Sequence, residues 1–116
     1  MITIMPADKA FLESVCAPLG ADAMVLRDSD GTVFGHALFT AAGETAELIS
    51  VHTEEPMMTD GLIRAVINAA DCRGAVSVVY RGEELIPVLK RLEFVLQDDV
   101  YTVDVQHFLY GECKCK

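Results

Sequence analysis

The sequence predicts an α+β domain with a mixed, mostly antiparallel sheet and one parallel β-α-β crossover. Apolar and polar residues alternate over residues 45–51, which is typical of a half-buried strand. An amphipathic helix pattern follows over residues 59–73, and a Val-rich strand at residues 75–79 comes directly after it. Two strands joined by one helix are expected to lie parallel, with a right-handed crossover.

The crossover also places the ends of its helix. Thr59 is the predicted N-cap, and Gly74 is the predicted left-handed residue after the C-terminus. The N-terminus of the helix then faces the crevice at the carboxyl end of the first strand, where such folds bind anions. On that strand, simple alternation predicts one face formed by Glu47, Ile49 and Val51 and an opposite face formed by Leu48, Ser50 and His52.

Periodicity and turn residues predict the rest of the chain. Asp8 is expected to cap the first helix, the Asp30-Gly31 step predicts a hairpin, and Pro87 is expected in the first turn of the last helix. The other predicted elements are a strand at residues 2–4, a helix at 9–19, strands at 23–27 and 32–40, a helix from Glu83 or Glu84, and strands at 95–97 and 100–105. We expect residues 1–110 to form a single domain, followed by a disordered tail at 111–116.

Composition and charge narrow the class of function. The chain has 116 residues, of which 52% are hydrophobic and 23% charged, as in an ordinary globular protein. Its net charge of −9 argues against binding to nucleic acid or to an anionic membrane surface. The start lacks the basic head and apolar centre of a signal peptide, so we expect a cytoplasmic protein.

The four cysteines show no secreted disulfide framework. Cys16 and Cys72 lie within helical patterns and are predicted to be small buried hydrophobes. A zinc site would have to use His107, Cys113 and Cys115, but only one residue separates the two cysteines and a fourth ligand is not evident. We therefore expect no metal.

Several segments resemble the fold of the GCN5-related N-acetyltransferases (GNAT). FGHALF resembles the third strand of that fold, AELISV the fourth strand and LIRAVINAADCRGA the long central helix. IPVLKRLEFV resembles the helix that ends in Leu-Gly-Phe, with Glu93 in place of the glycine. The resemblance covers residues 2–105 and implies a GNAT-like sheet with helices on both faces, an acyltransferase activity and acetyl-CoA as co-substrate.

The pyrophosphate-binding loop of that family has the form Arg/Gln-x-x-Gly-x-Gly/Ala and begins the central helix. The corresponding residues here, 54–61, read EEPMMTDG, so the basic position is missing and only Gly61 remains of the small residues. The resemblance therefore implies an atypical member with a degenerate loop. The residues that it implies for acetyl-CoA binding are Ile49, Ser50, Val51, Thr59, Asp60, Gly61 and Leu62.

Acetyl transfer to an amine needs a group that removes a proton, and a group that protonates the departing thiolate would assist it. Glu47 and His52 are the candidate bases. Tyr80 is the candidate acid, because Leu89 occupies the position of the tyrosine that often has this role in the family. The simpler interpretations are that Glu47 is an exposed sheet residue, His52 a strand-end residue and Tyr80 an ordinary rim aromatic.

Two functions therefore stay open. The first is an atypical GNAT-family N-acetyltransferase that acts on an amine, either polyamine-like or on a basic protein, since the chain is acidic. The second is a non-catalytic GNAT-like domain that binds a partner or another small ligand. A homodimer is compatible with the sequence.

Overall fold

The computed structural model describes residues 2–110. The strands are β1 (Thr3–Pro6), β2 (Asp22–Arg27), β3 (Val33–Ala42), β4 (Thr45–Thr53), β5 (Ser77–Tyr80), β6 (Val95–Gln97) and β7 (Val100–Asp104). The helices are α1 (Lys9–Ser14), α2 (Thr59–Cys72), α3 (Ile86–Arg91) and α4 (Val105–Tyr110). In this part of the chain, seven strands form one sheet in the order β1-β2-β3-β4-β5-β7-β6, and β4 and β5 are its parallel pair. The predicted α+β fold with one parallel crossover is confirmed.

Helices cover both faces of the sheet, as predicted. One face packs against α2, whose fully buried residues Leu62, Ile63, Val66, Ile67 and Ala70 join the main core. On the opposite face lies α1, where the ring of Phe11 contacts the ring of His36 at a centroid distance of 5.3 Å. Both faces of the central strands are therefore occupied, which explains why Val25 and Leu26 are both fully buried.

The start of α2 differs from the prediction. A 3-10 turn at Pro56–Met58 runs directly into the helix, so Thr59 is its first residue and Met58 takes the cap position. Proline at the beginning of this turn has the φ angle that a helix requires, which moves the helical backbone toward the N-terminus. The predicted end is confirmed, because Gly74 has a φ of 87° and its amide donates to the Asp71 carbonyl.

The faces of β4 also differ from the prediction. Leu38 pairs with Ser50 and Phe39 pairs with Leu48, so Ile49 is an extra residue that forms a β-bulge. Beyond the bulge the alternation is inverted. Leu48 and Val51 consequently face the core under α2, whereas Glu47, Ser50 and His52 face α1. The prediction that Glu47, Ile49 and Val51 share one face is wrong.

The two described cysteines are exposed, so the prediction that they are buried is wrong. Cys16 has a φ of 55° and follows α1, which ends at Ser14 because the Ala17 amide folds back to the Leu12 carbonyl. Cys72 lies on the flank of α2 that borders an open groove beside β1.

Helix α3 begins later than predicted, at Ile86, with Pro87 in its first turn as expected. Glu93 follows it with a φ of 69°, a left-handed conformation that favours glycine. The tail at 111–116, with Cys113 and Cys115, lies outside the described residues. No helix of residues 2–110 combines the length and the apolar character needed to cross a membrane.

Candidate active site

The crevice of this fold lies between β4 and β5. The two strands pair over four positions, from Thr45 opposite Ser77 to Leu48 opposite Tyr80. β5 ends there, whereas β4 continues to Thr53. The β4 edge that faces β5 is therefore unpaired from the bulge at Ile49 to the end of the strand, and α2 begins above it.

Backbone groups of β4 point into this crevice. Hydrogen-bonded and non-hydrogen-bonded pairs alternate along an antiparallel ladder. The Glu54 amide donates to the Phe34 carbonyl of β3 at 3.0 Å, so the pairs that Thr53 and Val51 form with β3 are the non-hydrogen-bonded ones. The N–H and C=O groups of Val51 and Thr53 consequently point away from β3. They offer the donors and acceptors of an open strand edge.

The loop that should hold a pyrophosphate uses most of its amides internally. Besides Glu54, Glu55 donates to the Thr53 hydroxyl oxygen at 3.0 Å and Met58 donates to the Glu55 carbonyl at 2.9 Å. The Thr59 amide donates to the carbonyl of Pro56, which itself has no N–H. Among positions 54–59, Met57 alone has an amide without a partner in residues 2–110. The loop is therefore a poor cradle for phosphate.

The first turn of α2 holds the remaining predicted cofactor residues. Asp60 accepts from the Arg91 guanidinium at 3.0 Å, so its negative charge is partly compensated. A Cβ atom at Gly61 would lie 3.3 Å from Ile4 Cδ1, so the absent side chain makes room for β1. Leu62 is fully buried, and only its backbone could contact a ligand.

Glu47 lies on the α1 face of β4, opposite Val79 of β5 and next to the point where the strands part. Its side chain is 39% exposed, and its Oε2 lies 3.6 Å from Nε of Arg81. Arg81 was not singled out in the sequence. The available signal was its position directly after a buried strand, at the edge where such sheets place functional side chains.

His52 shares this face and is exposed. Its ring centroid lies 5.8 Å from that of His36, which is half-buried between His52 and Phe11. Burial lowers the pKa of His36, and the positive charge of His52 lowers it further. His36 was also missed, because only the strand register shows that the two histidines are directly opposite each other.

Tyr80 is not brought together with the two candidate bases. It is 4% exposed and belongs to the core on the α2 face, while its neighbour Val79 pairs with Glu47. A Cβ atom at Gly82 would lie 2.5 Å from the Tyr80 hydroxyl oxygen, so the phenol and Gly82 are in close contact. Leu89, at the family's tyrosine position, is fully buried.

Two cavities lie elsewhere on the molecule and include none of the predicted site residues. One, of about 270 Å³, lies between α2, α3 and α4 and is lined in part by Arg64, Arg91, Glu93 and His107. The other, of about 410 Å³, lies between β1 and α2. Both are separate from the crevice along the unpaired edge of β4. Residues 2–110 contain no cluster of three or more side chains suited to metal binding.

Comparisons with known proteins identify the fold. A scan against protein-family models gives no match, and no curated protein matches the sequence. Solved structures match over most of the chain. The Y144F mutant of the AtaT toxin, bound to the C-terminus of the antitoxin AtaR, is 13% identical with a TM-score of 0.70, and the match covers 100% of this chain and 99% of the matched chain.

Two further matches have TM-scores of 0.69 and 0.63. The first is a chimera of the spermidine N-acetyltransferase SpeG from Vibrio cholerae with hSSAT, at 9% identity, covering 93% of this chain and 98% of the chimera. The second is Tetrahymena GCN5, at 10% identity, covering 84% of this chain and 76% of GCN5. Another matching AtaT structure contains acetyl-CoA. The chain therefore has the fold of the GNAT acetyltransferases, which confirms the resemblance seen in the sequence.

Proposed function

We propose that the chain is an atypical N-acetyltransferase that moves the acetyl group of acetyl-CoA to an amine. The observation that supports this most strongly is the unpaired edge of β4, with the backbone groups of Val51 and Thr53 directed into the crevice. The pantetheine arm of CoA carries two amides on an extended chain, and such a chain can bond to an open strand edge as an added strand would.

The chemistry needs only a few groups. The ammonium form of the substrate loses a proton to a base, and the lone pair of the resulting neutral amine attacks the thioester carbonyl carbon, forming the C–N bond. The C–S bond then breaks, the sulfur leaves with the bonding electron pair and takes a proton from an acid, and the second proton released by the nitrogen restores that acid. Glu47 and His52 face the same side of β4 and are the two candidate bases. Tyr80 stays the predicted acid, at the end of β5 on the opposite face.

A second candidate is a non-catalytic domain that kept this scaffold for binding. The observation that favours it is the loop at 54–59, whose amides are mostly bonded within the chain. An enzyme with this loop must bind acetyl-CoA mainly through the pantetheine arm.

Calorimetric titration tests the proposal. We expect acetyl-CoA and acetyl-pantetheine, which lacks the nucleotide phosphates, to bind with Kd values within about tenfold of each other. A tenfold difference is about 1.4 kcal/mol, less than one charged hydrogen bond contributes, and the loop has few free amides to form such bonds. Binding of acetyl-CoA at least a hundredfold tighter would show that the loop holds the pyrophosphate. Binding of neither ligand would favour the non-catalytic domain.

Two variants test the base. Glu47→Gln and His52→Gln each remove a proton acceptor, and we expect the variant that loses the base to fall about 10²–10⁴-fold in kcat. Glu44→Gln is the matched control, because Glu44 is exposed in the turn at the other end of β4. Thiol release from acetyl-CoA measures the rate. Equal rates for all three variants would contradict both assignments.

A further inference from the structure

A pair of opposite charges lies at the point where β4 and β5 part, which we call the vertex of the crevice. Glu47 lies opposite Val79, one position before the last pair of the β4–β5 ladder. Arg81 is the first residue after β5. Both side chains therefore reach the point where the strands part, on the face that also carries Ser50 and His52.

The contact between the two leaves most of the guanidinium free. Nε of Arg81 lies 3.6 Å from Glu47 Oε2, beyond the range of a good hydrogen bond. This ion pair engages Nε and leaves the two terminal nitrogens for another partner. The side chains are 64% and 39% exposed, so both groups are accessible from solvent. A guanidinium fork of this kind matches a carboxylate in bidentate geometry.

The row of the sheet that contains Glu47 has no other charged residue. Across the sheet, the row through Glu47 continues with Thr40 on one side and with Val79 and Thr102 on the other. An accessible cation beside a carboxylate contrasts with the net charge of −9 of the whole chain. A substrate at this vertex consequently meets one positive and one negative group at short separation.

We propose that the acceptor amine also carries a carboxylate, as an amino acid does. Glu47 faces the ammonium group and Arg81 holds the carboxylate. The acetyl group is transferred to the nitrogen by the steps described above, and the carboxylate is unchanged. This inference rests on the proposed function and specifies its substrate. It departs from the polyamine expectation, because the second ammonium of a diamine would be repelled by Arg81.

A matched panel of three-carbon amines tests the inference with acetyl-CoA as donor. Alanine and β-alanine carry a carboxylate, whereas n-propylamine has none and 1,3-diaminopropane has a second ammonium. Thiol release gives kcat/KM, and the mass of the acetylated product confirms transfer. We expect kcat/KM for the better of the two amino acids to exceed that for each of the other amines by about 10- to 100-fold, which is the usual contribution of one charge-assisted hydrogen bond.

Variants of Arg81 separate specificity from general damage. The preference is kcat/KM for the amino acid divided by kcat/KM for n-propylamine. We expect Arg81→Gln to lower this ratio by about 10- to 100-fold. Arg81→Glu should move the preference toward 1,3-diaminopropane. Lys90→Gln is the matched control for the loss of one positive charge, because Lys90 is exposed on α3, on the opposite face of the sheet. The ratio measured for Lys90→Gln should equal that of the natural chain.

The outcomes distinguish this inference from the function on which it rests. A preference for n-propylamine or 1,3-diaminopropane, or a ratio unchanged in Arg81→Gln, overturns the substrate assignment and leaves the acetyltransferase in place. Binding of acetyl-CoA without transfer to any member of the panel also overturns the substrate assignment. Absence of acetyl-CoA binding in the calorimeter overturns the proposed function, and the inference with it.

Discussion

Replacing Glu54 and Glu55 by glutamine removes two negative charges from the loop where the pyrophosphate of acetyl-CoA would lie. Both side chains are exposed, and neither forms an ion pair within residues 2–110. Asp60 contributes less to the repulsion, since Arg91 compensates its charge. The double variant therefore isolates the electrostatic cost of the loop.

The size of the effect follows from Coulomb's law. Two like charges about 8 Å apart repel by on the order of 0.5 kcal/mol in water and about 2 kcal/mol at an effective dielectric of 20. Because the glutamates are exposed, the value for water is the better guide, and two of them together cost about 1 kcal/mol. The double variant should accordingly bind acetyl-CoA roughly fivefold more tightly.

Calorimetric titration at low and high salt measures this change. The gain should be largest near 0.01 M salt, where the screening length is about 30 Å, and should largely vanish at about 1 M. Acetyl-pantetheine has no phosphate and should bind both proteins equally. The control variant Glu13→Gln/Glu44→Gln makes the same change in net charge at exposed positions outside the loop. Equal gains for both double variants, or a gain for acetyl-pantetheine, would refute the placement of the pyrophosphate.

Three further predictions concern stability. Val66→Asp places an unpaired carboxylate at a fully buried position and should cost about 3–5 kcal/mol of stability, enough to unfold a marginal domain. Arg64→Asp changes an exposed residue of the same helix and should cost about 1 kcal/mol or less. Thermal melts followed by circular dichroism measure both changes. Glu93→Gly should raise the urea midpoint by the equivalent of about 0.5–1 kcal/mol, because φ at this position is 69°, and an unchanged or lower midpoint would contradict it. His36 has a lower pKa in the folded protein than in the unfolded chain. As the pH drops below about 6.5, the unfolded chain therefore binds this proton first, and the free energy of unfolding should decrease until the pH passes the pKa of the folded protein. His36→Gln should lose this part of the decline in urea titrations at pH 7.5 and 5.

The crossover was predictable because its signals are local. The apolar stripe of α2 and the left-handed Gly74 depend on residues within one helix, and both are confirmed. The bulge at Ile49 was not predictable, because it is a property of the pairing between β3 and β4 rather than of either strand alone. Alternation within β4 therefore assigned the residues beyond Leu48 to the wrong faces.

The candidate site likewise has features that follow from local sequence and features that depend on contacts between distant residues. The sequence places Glu47 and His52 on the central strand, and the register brings them to one face. It could not show the partner of Glu47, because the contact with Arg81 depends on the register between β4 and β5, which the predicted crossover does not determine. Nor could it show that the Glu55 amide is bonded to the Thr53 side chain, since the same residues in an extended loop would leave that amide free.

The bulge at Ile49 has a consequence for the kinetics of binding. A bulge increases the local twist of its strand, and this one lies one residue beyond the last pair between β4 and β5. The separation of the strands is therefore present before any ligand arrives, and entry breaks no ladder hydrogen bond. In stopped-flow mixing, the observed rate should rise linearly with ligand concentration without a plateau, as expected when no slow conformational step precedes or follows the encounter.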